Sequence, residues 1–148
     1  MVHRIEQLQP ELDAHTHARR ALDLVRERYQ DQGLSRERAA KALGISVSQL
    51  DRQLREAAET TFFQLLCWYR VWVATQEQQR DRPGVAELAD RVGFTSEGTC
   101  TRAYKKHLGM TPGQYRKHLI AARKHVNQVA DLPEPRLGAG AAASEEDS

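Results

Sequence analysis

One pattern is written twice in this chain. Ala40-Lys41-Ala42-Leu43-Gly44-Ile45-Ser46 leads into Gln49-Leu50-Asp51-Arg52-Gln53-Leu54-Arg55. Ala89-Asp90-Arg91-Val92-Gly93-Phe94-Thr95 leads into Thr99-Cys100-Thr101-Arg102-Ala103-Tyr104-Lys105. Gly44 of the first copy returns as Gly93. Beyond the glycines the register shifts by one residue, pairing Leu50 with Cys100, Arg52 with Arg102 and Arg55 with Lys105. Each copy reads as a short helix, a glycine turn and a capped basic helix. That is the form of a helix-turn-helix, whose second helix enters the DNA major groove. The repeat therefore predicts an all-α fold of about seven helices, with two such units on one chain.

The surrounding periodicity supplies the remaining helices. Ala18, Ala21, Leu22, Val25 and Tyr29 have helical spacing, and Gly33 is expected to end that helix. Ser35 can cap the next helix, with Ala39, Ala40 and Leu43 facing inward. Ser46 and Gln49 have the spacing of a capping box, in which hydroxyl and amide each satisfy the other residue's backbone N–H. Val47, Leu50 and Leu54 then face the core, while Ser48, Asp51, Arg52 and Arg55 face away.

Residues 61–80 read as one long linker helix. Phe62, Leu66, Tyr69 and Val73 line one side, and Leu65, Trp68 and Trp72 line another. Its twenty residues would span about 30 Å, close to the ~34 Å of one DNA turn. Asp81-Arg82-Pro83-Gly84 breaks the chain. Val85, Leu88, Ala89 and Val92 face inward on the next helix, Thr95 or Ser96 caps its successor, and Cys100, Tyr104 and Leu108 form that successor's inner side. Gly109 stops it. Thr111-Pro112-Gly113-Gln114 opens a last helix that is expected to reach about Val126. The resulting division is a flexible stretch over 1–13, a first unit over about 14–60, the linker over about 61–80, a second unit over about 84–126 and a disordered acidic tail over 127–148.

Length and composition narrow the function. The 148 residues, 40% hydrophobic, suit one domain with one core. The richest apolar stretch, 62–74, is interrupted by Gln64 and Arg70, so no membrane span is expected. The first residues lack the profile of a secretion signal, which points to the cytoplasm. Cys67 and Cys100 have no metal-ligand spacing and lie on apolar helix faces, as buried reduced thiols do. His15 and His17 fall on different faces of a helix, which argues against a metal pair. Trp68 and Trp72 sit among Leu and Val rather than among cations, so they read as core and not as a stacking platform. No catalytic constellation stands out, and neither cofactor nor metal is expected. Net charge is only +2. However, Arg91, Arg102, Lys105, Lys106, Arg116, Lys117, Arg123 and Lys124 oppose Glu97 alone over residues 91–130, whereas the tail beyond is acidic. That imbalance suits a nucleic-acid partner.

The two motifs together resemble the DNA-binding domain of the AraC/XylS family of bacterial transcription regulators. The likeness covers roughly Ala18 to Leu119. It is most specific in Ala86-Glu87-Leu88-Ala89, Gly93-Phe94, Arg102-Ala103-Tyr104-Lys105, Gly109-Met110-Thr111-Pro112 and Tyr115-Arg116. Arg70 and Ala74 fall where the family's linker helix has its Arg and Ala. The resemblance implies two helix-turn-helix subdomains joined by a long helix. It also places base-facing positions at Ser48, Asp51 and Arg52 in the first unit and at Glu97, Gly98, Thr101 and Arg102 in the second. Three departures accompany it. Glu59 stands where the family has Gly after its first reading helix, so a differently shaped junction is expected there. Asp51 and Glu97 place acids among the readers, and Gly98 offers no side chain. Only roughly thirty residues precede the first unit's turn motif, fewer than a separate ligand-binding domain needs. The expectation is therefore a stand-alone subgroup member with no built-in small-molecule effector domain.

Arg52 and Arg102 are the residues best suited to reading bases, because a guanidinium can bond guanine O6 and N7 together. Glu56, four residues after Arg52, offers that arginine an alternative partner. Asp51 and Glu97 could accept from cytosine N4, or orient a neighbouring Arg. Arg55, Lys105, Lys106 and Arg116 are expected to clamp phosphates, giving affinity and salt dependence rather than sequence choice. The expected function is a sequence-specific regulator of transcription, not an enzyme. It would read two adjacent major grooves of double-stranded DNA as a monomer in the cytoplasm, associated with the nucleoid. The resemblance adds activation, with RNA polymerase as a second partner. The alternatives are a non-transcriptional DNA-binding module and a protein-interaction adaptor on the same fold.

Overall fold

Seven helices make up the described part of the chain, residues 16–122 and 134–135 of the computed structural model. They are α1 (Thr16–Arg28), α2 (Arg36–Leu43), α3 (Val47–Ala58), α4 (Phe62–Arg80), α5 (Val85–Val92), α6 (Glu97–Leu108) and α7 (Pro112–Ala122). No strand occurs among the described residues. The expected frayed N-terminus, the continuation of the last helix to Val126 and, apart from residues 134–135, the disordered tail lie outside them.

Length alone suggests one core, but packing divides the chain into two compact units. Of the described residues, the first unit takes 16–28, 33–66 and 135, and the second takes Tyr29–Gln32 and Cys67–Glu134 as far as it is described. The boundary falls inside α4, as expected of a helix with a wide apolar girdle.

In the first unit, α1 packs on α2 and α3. Ala18, Ala21, Leu22, Leu24 and Val25 are buried, so α1 hides a wider face than its i, i+3, i+4 pattern announced. Ser35 caps α2 by accepting from the Arg38 N–H. Gly44 ends α2 with φ 72° and hands its N–H to the carbonyls of Ala40 and Lys41. Ser46 and Gln49 form the expected capping box at α3. A second box, Thr61 with Gln64, opens α4. A cap of this kind contributes about 1 kcal/mol.

Glu59 departs from the expectation of an altered junction. It adopts φ 52° and C-caps α3, its N–H reaching the carbonyl of Arg55. That is the left-handed backbone that Gly44, Gly93 and Gly109 take at the other helix ends. The turn geometry is kept without the residue that favours it, at a steric cost of about 1–2 kcal/mol.

The second unit has its own core: Val71 and Ala74 of α4, Leu88, Ala89 and Val92 of α5, Phe94 of the turn that follows, Cys100, Ala103 and Tyr104 of α6, and Tyr115 and Leu119 of α7. Trp68 is buried and stacks with His107 at 6.3 Å between ring centroids, whereas Trp72 and Val73 are only half-buried. Leu108 is likewise half-buried rather than a full core member. Cys67 and Cys100 are both buried and free. Burial pushes the Cys100 thiol up to about 12, with the nearby Glu97 adding to the shift.

Three buried polar side chains of this unit, Tyr104, Gln78 and Arg70, are satisfied by specific partners. The Tyr104 hydroxyl donates to Gln78 Oε1 at 2.7 Å, and Gln78 Nε2 donates to the Pro112 carbonyl at 3.0 Å. This chain joins α6, α4 and the start of α7 through fully buried groups, where an unmade hydrogen bond would cost about 1–3 kcal/mol. The Arg70 guanidinium, only 5% exposed, donates to the carbonyls of Tyr29 (2.7 Å) and Asp31 (2.9 Å) and lies 5.7 Å from the centre of the Phe94 ring.

Those carbonyls belong to a segment that sequence reasoning assigned to the first helix. That helix stops at Arg28, five residues before Gly33, and residues 29–32 pack with the second unit instead. Gln30 donates to the Arg91 carbonyl and Gln32 to the Phe94 carbonyl. Glycine-turn signals could not reveal this, because the hydrogen bonds that decide it come from far along the chain.

Candidate nucleic-acid interface

In the first unit the capping box fixes where α3 begins, and so which side chains face outward. Leu50 and Leu54 are fully buried. Ser48, Arg52 and Arg55 are exposed, and Asp51 is half-buried. No ion pair joins Arg52 to Glu56 among the described residues, so the guanidinium is available. Asp51 is engaged: Arg36, in the first turn of α2, donates to its Oδ2 at 3.2 Å while also contacting Glu37 at 3.1 Å.

In the second unit Gly93 makes the turn with φ 93°. A Cβ there would sit 2.3 Å from the Tyr29 carbonyl oxygen, so both backbone angle and space require glycine. Of the two expected caps for α6, Ser96 is the one used, accepting from the Thr99 N–H at 3.1 Å. Cys100, Ala103 and Tyr104 turn inward. Glu97, Gly98, Arg102, Lys105 and Lys106 are exposed, and Thr101 is half-buried. The Arg102 guanidinium rests on the Thr99 hydroxyl at 3.3 Å, which in turn lies 2.9 Å from the Ser96 hydroxyl. Arg116 is exposed on α7, not on the reading helix itself. A third capping box, Thr111 with Gln114, opens α7.

Comparison with known proteins decides what these two helices belong to. A family model described as a helix-turn-helix domain matches residues 39–118, more than half of the chain. The chain belongs to the AraC/XylS family. It is 28% identical over 84 residues to the uncharacterized HTH-type transcriptional regulator YpdC of Escherichia coli K12, covering 57% of this chain and 30% of that protein. It is 29% identical over 83 residues to the RCS-specific HTH-type transcriptional activator RclR of the same organism, covering 56% of this chain and 29% of RclR. The match thus spans less than a third of the length of either relative. The C-terminal domain of AraT, a response regulator from Geobacillus stearothermophilus, shares the fold with a TM-score of 0.65 at 23% identity, over 81% of this chain and 93% of that domain.

This AraC/XylS-family chain carries two helix-turn-helix units, and the second helices of the two differ in charge. On α3 two arginines meet two acids, Asp51 and Glu56. On α6 Arg102, Lys105 and Lys106 meet Glu97 alone. Arg91, counted among the basic residues by sequence, is spent elsewhere: its guanidinium bonds Asp81 (2.9 and 3.0 Å), Glu87 (2.8 Å) and Glu77 (3.2 Å). The Asp81 and Glu87 carboxylates hold that guanidinium more firmly charged than an ordinary arginine, and leave little of its field for a ligand. Among the described residues no group of three or more His, Cys, Asp or Glu could hold a metal ion, and no helix is long and apolar enough to cross a membrane.

Two contributors escaped sequence reasoning. Thr99 stands three residues before Arg102, a helical spacing that could have revealed it. Arg36 lies fifteen residues before Asp51 on a different helix, and nothing local signals that contact.

Proposed function

We propose that this regulator recognises a specific duplex sequence by inserting α3 and α6 into two adjacent major grooves as a monomer, over an asymmetric site of roughly 20 base pairs. The observation that carries the reading is the recurrence of an exposed arginine, Arg52 and then Arg102, at the same place after each glycine turn. Ser48, Glu97, Gly98 and Thr101 complete the base-facing set, and Asp51 lies beside Arg52 on the same helix with its carboxylate engaged by Arg36. Arg55, Lys105, Lys106 and Arg116 bind phosphates and make affinity salt-dependent. The domain over about 14–126 acts without enzymatic chemistry, in the cytoplasm at the nucleoid. Activation through contact with RNA polymerase completes the proposal.

Selection of bound duplexes from a random pool tests it. The expected product is one asymmetric motif with two conserved blocks about one helical turn apart. A palindromic motif would break the monomer reading. Absence of duplex binding at low salt would favour the adaptor alternative.

A further inference from the structure

The Arg36–Asp51 contact has no counterpart in the second unit. By the repeat, Asp51 corresponds to Thr101, and among the described residues no ion pair or side-chain hydrogen bond links a basic residue of α5 to α6 in the way that Arg36 of α2 reaches α3. An acid in the middle of a DNA-reading face is awkward: it opposes phosphate by Coulomb repulsion, and it can accept only from a donor such as cytosine N4. Asp51 is the more enclosed member of the pair, its side chain 28% exposed against 55% for Arg36. The carboxylate is therefore the less solvent-accessible partner, and one of its oxygens is occupied by the guanidinium. The second contact of Arg36, to Glu37, holds the guanidinium from its other edge.

We propose that Arg36 is a specificity-positioning residue of the first unit. By engaging Asp51 it withdraws that carboxylate from the base-reading set and screens its charge, leaving Arg52 as the principal reader of α3. The inference rests on the DNA-reading function proposed above and goes beyond it by assigning the state of one reader to a residue on another helix. A surface ion pair of this kind is weak, so the effects should be modest but measurable.

The test is a double-mutant cycle read by binding to the selected duplex and to versions altered at the positions facing α3. Arg36→Ala should weaken binding about two- to fivefold and raise the relative affinity for cytosine opposite position 51, because the released carboxylate becomes available. Asp51→Asn in the Arg36→Ala background should restore most of the affinity and abolish the new cytosine preference. Arg36→Lys should keep partial function. Thermal unfolding of each variant separates these effects from loss of fold. If Arg36→Ala weakens all duplexes equally and Asp51→Asn does not rescue it, Arg36 is an ordinary phosphate contact and the proposal is overturned, while DNA reading stands. If the unaltered protein binds no duplex, both fall together.

Discussion

The two helix-turn-helix units use the same turn but enforce it differently. In the first, Gly44 is required only by its backbone angle: nothing lies within 4 Å of where a Cβ would be. In the second, Gly93 meets both a positive φ and the Tyr29 carbonyl at 2.3 Å. The reading helices diverge in parallel. The α3 face is charge-balanced and carries an acid held by another helix. The α6 face is basic, and its arginine is propped by a threonine one turn earlier. The first unit is therefore the more permissive of the two in its backbone. The second is built around an obligatory close approach and carries the more basic helix.

The sharpest way to break this comparison is at the glycines. Gly93→Ala should destabilise the protein by about 2–5 kcal/mol, from left-handed strain plus overpacking against the 29–32 backbone. Gly44→Ala should cost only the strain, about 1–2 kcal/mol. Urea unfolding of both variants checks it, and equal losses would remove the distinction. Next in size, Arg102→Ala should cost about 1–3 kcal/mol of binding to the preferred duplex and relax its sequence preference. Arg52→Ala should cost less, since its helix is charge-balanced. Competition binding against single-base variants would reveal the reverse order if α3 were in fact the dominant reader.

Of comparable magnitude but confined to stability, Tyr104→Phe should cost about 1–3 kcal/mol by leaving Gln78 Oε1 buried without a donor. Operator preference should be unchanged, because the hydroxyl points into the core. Lys105→Ala should weaken all duplexes alike and reduce the salt slope by about one. A base-dependent loss in a salt titration would make Lys105 a reader instead. The smallest effect belongs to the first unit: Glu59→Gly should stabilise it by about 0.5–1 kcal/mol, because a strained left-handed Glu gives way to a residue that accepts that angle, less the added chain entropy. Thermal unfolding would register it as a small rise in midpoint.

Much of this architecture is legible in the sequence because its determinants are local. Capping pairs three residues apart, glycines at left-handed turns and apolar spacing along a helix all act within one or two turns of chain. That is why the starts of α3 and α7, the stop at Gly109 and the inward sets Leu50–Leu54 and Cys100–Tyr104 could be read directly. The outward positions of the candidate site followed from the same periodicity, sharpened by family resemblance. What stayed hidden depends on contacts made across long stretches of chain. Arg70 looked like an interruption of an apolar run, yet it is buried on two carbonyls some forty residues earlier. Arg91 looked like part of a basic face, yet three acids occupy it. Glu59 shows the opposite failure: a residue type that disfavours the left-handed turn nevertheless holds it, its N–H bonded to the Arg55 carbonyl.

The docking of residues 29–32 bears on how this regulator can be dissected. Homology to the helix-turn-helix family begins at residue 39, and trimming to that border would seem natural. Yet such a fragment would lack both carbonyls that accept from the Arg70 guanidinium, hydrogen bonds of a charged donor worth about 1.5–3 kcal/mol each. The smallest autonomous piece must start upstream of the recognisable homology.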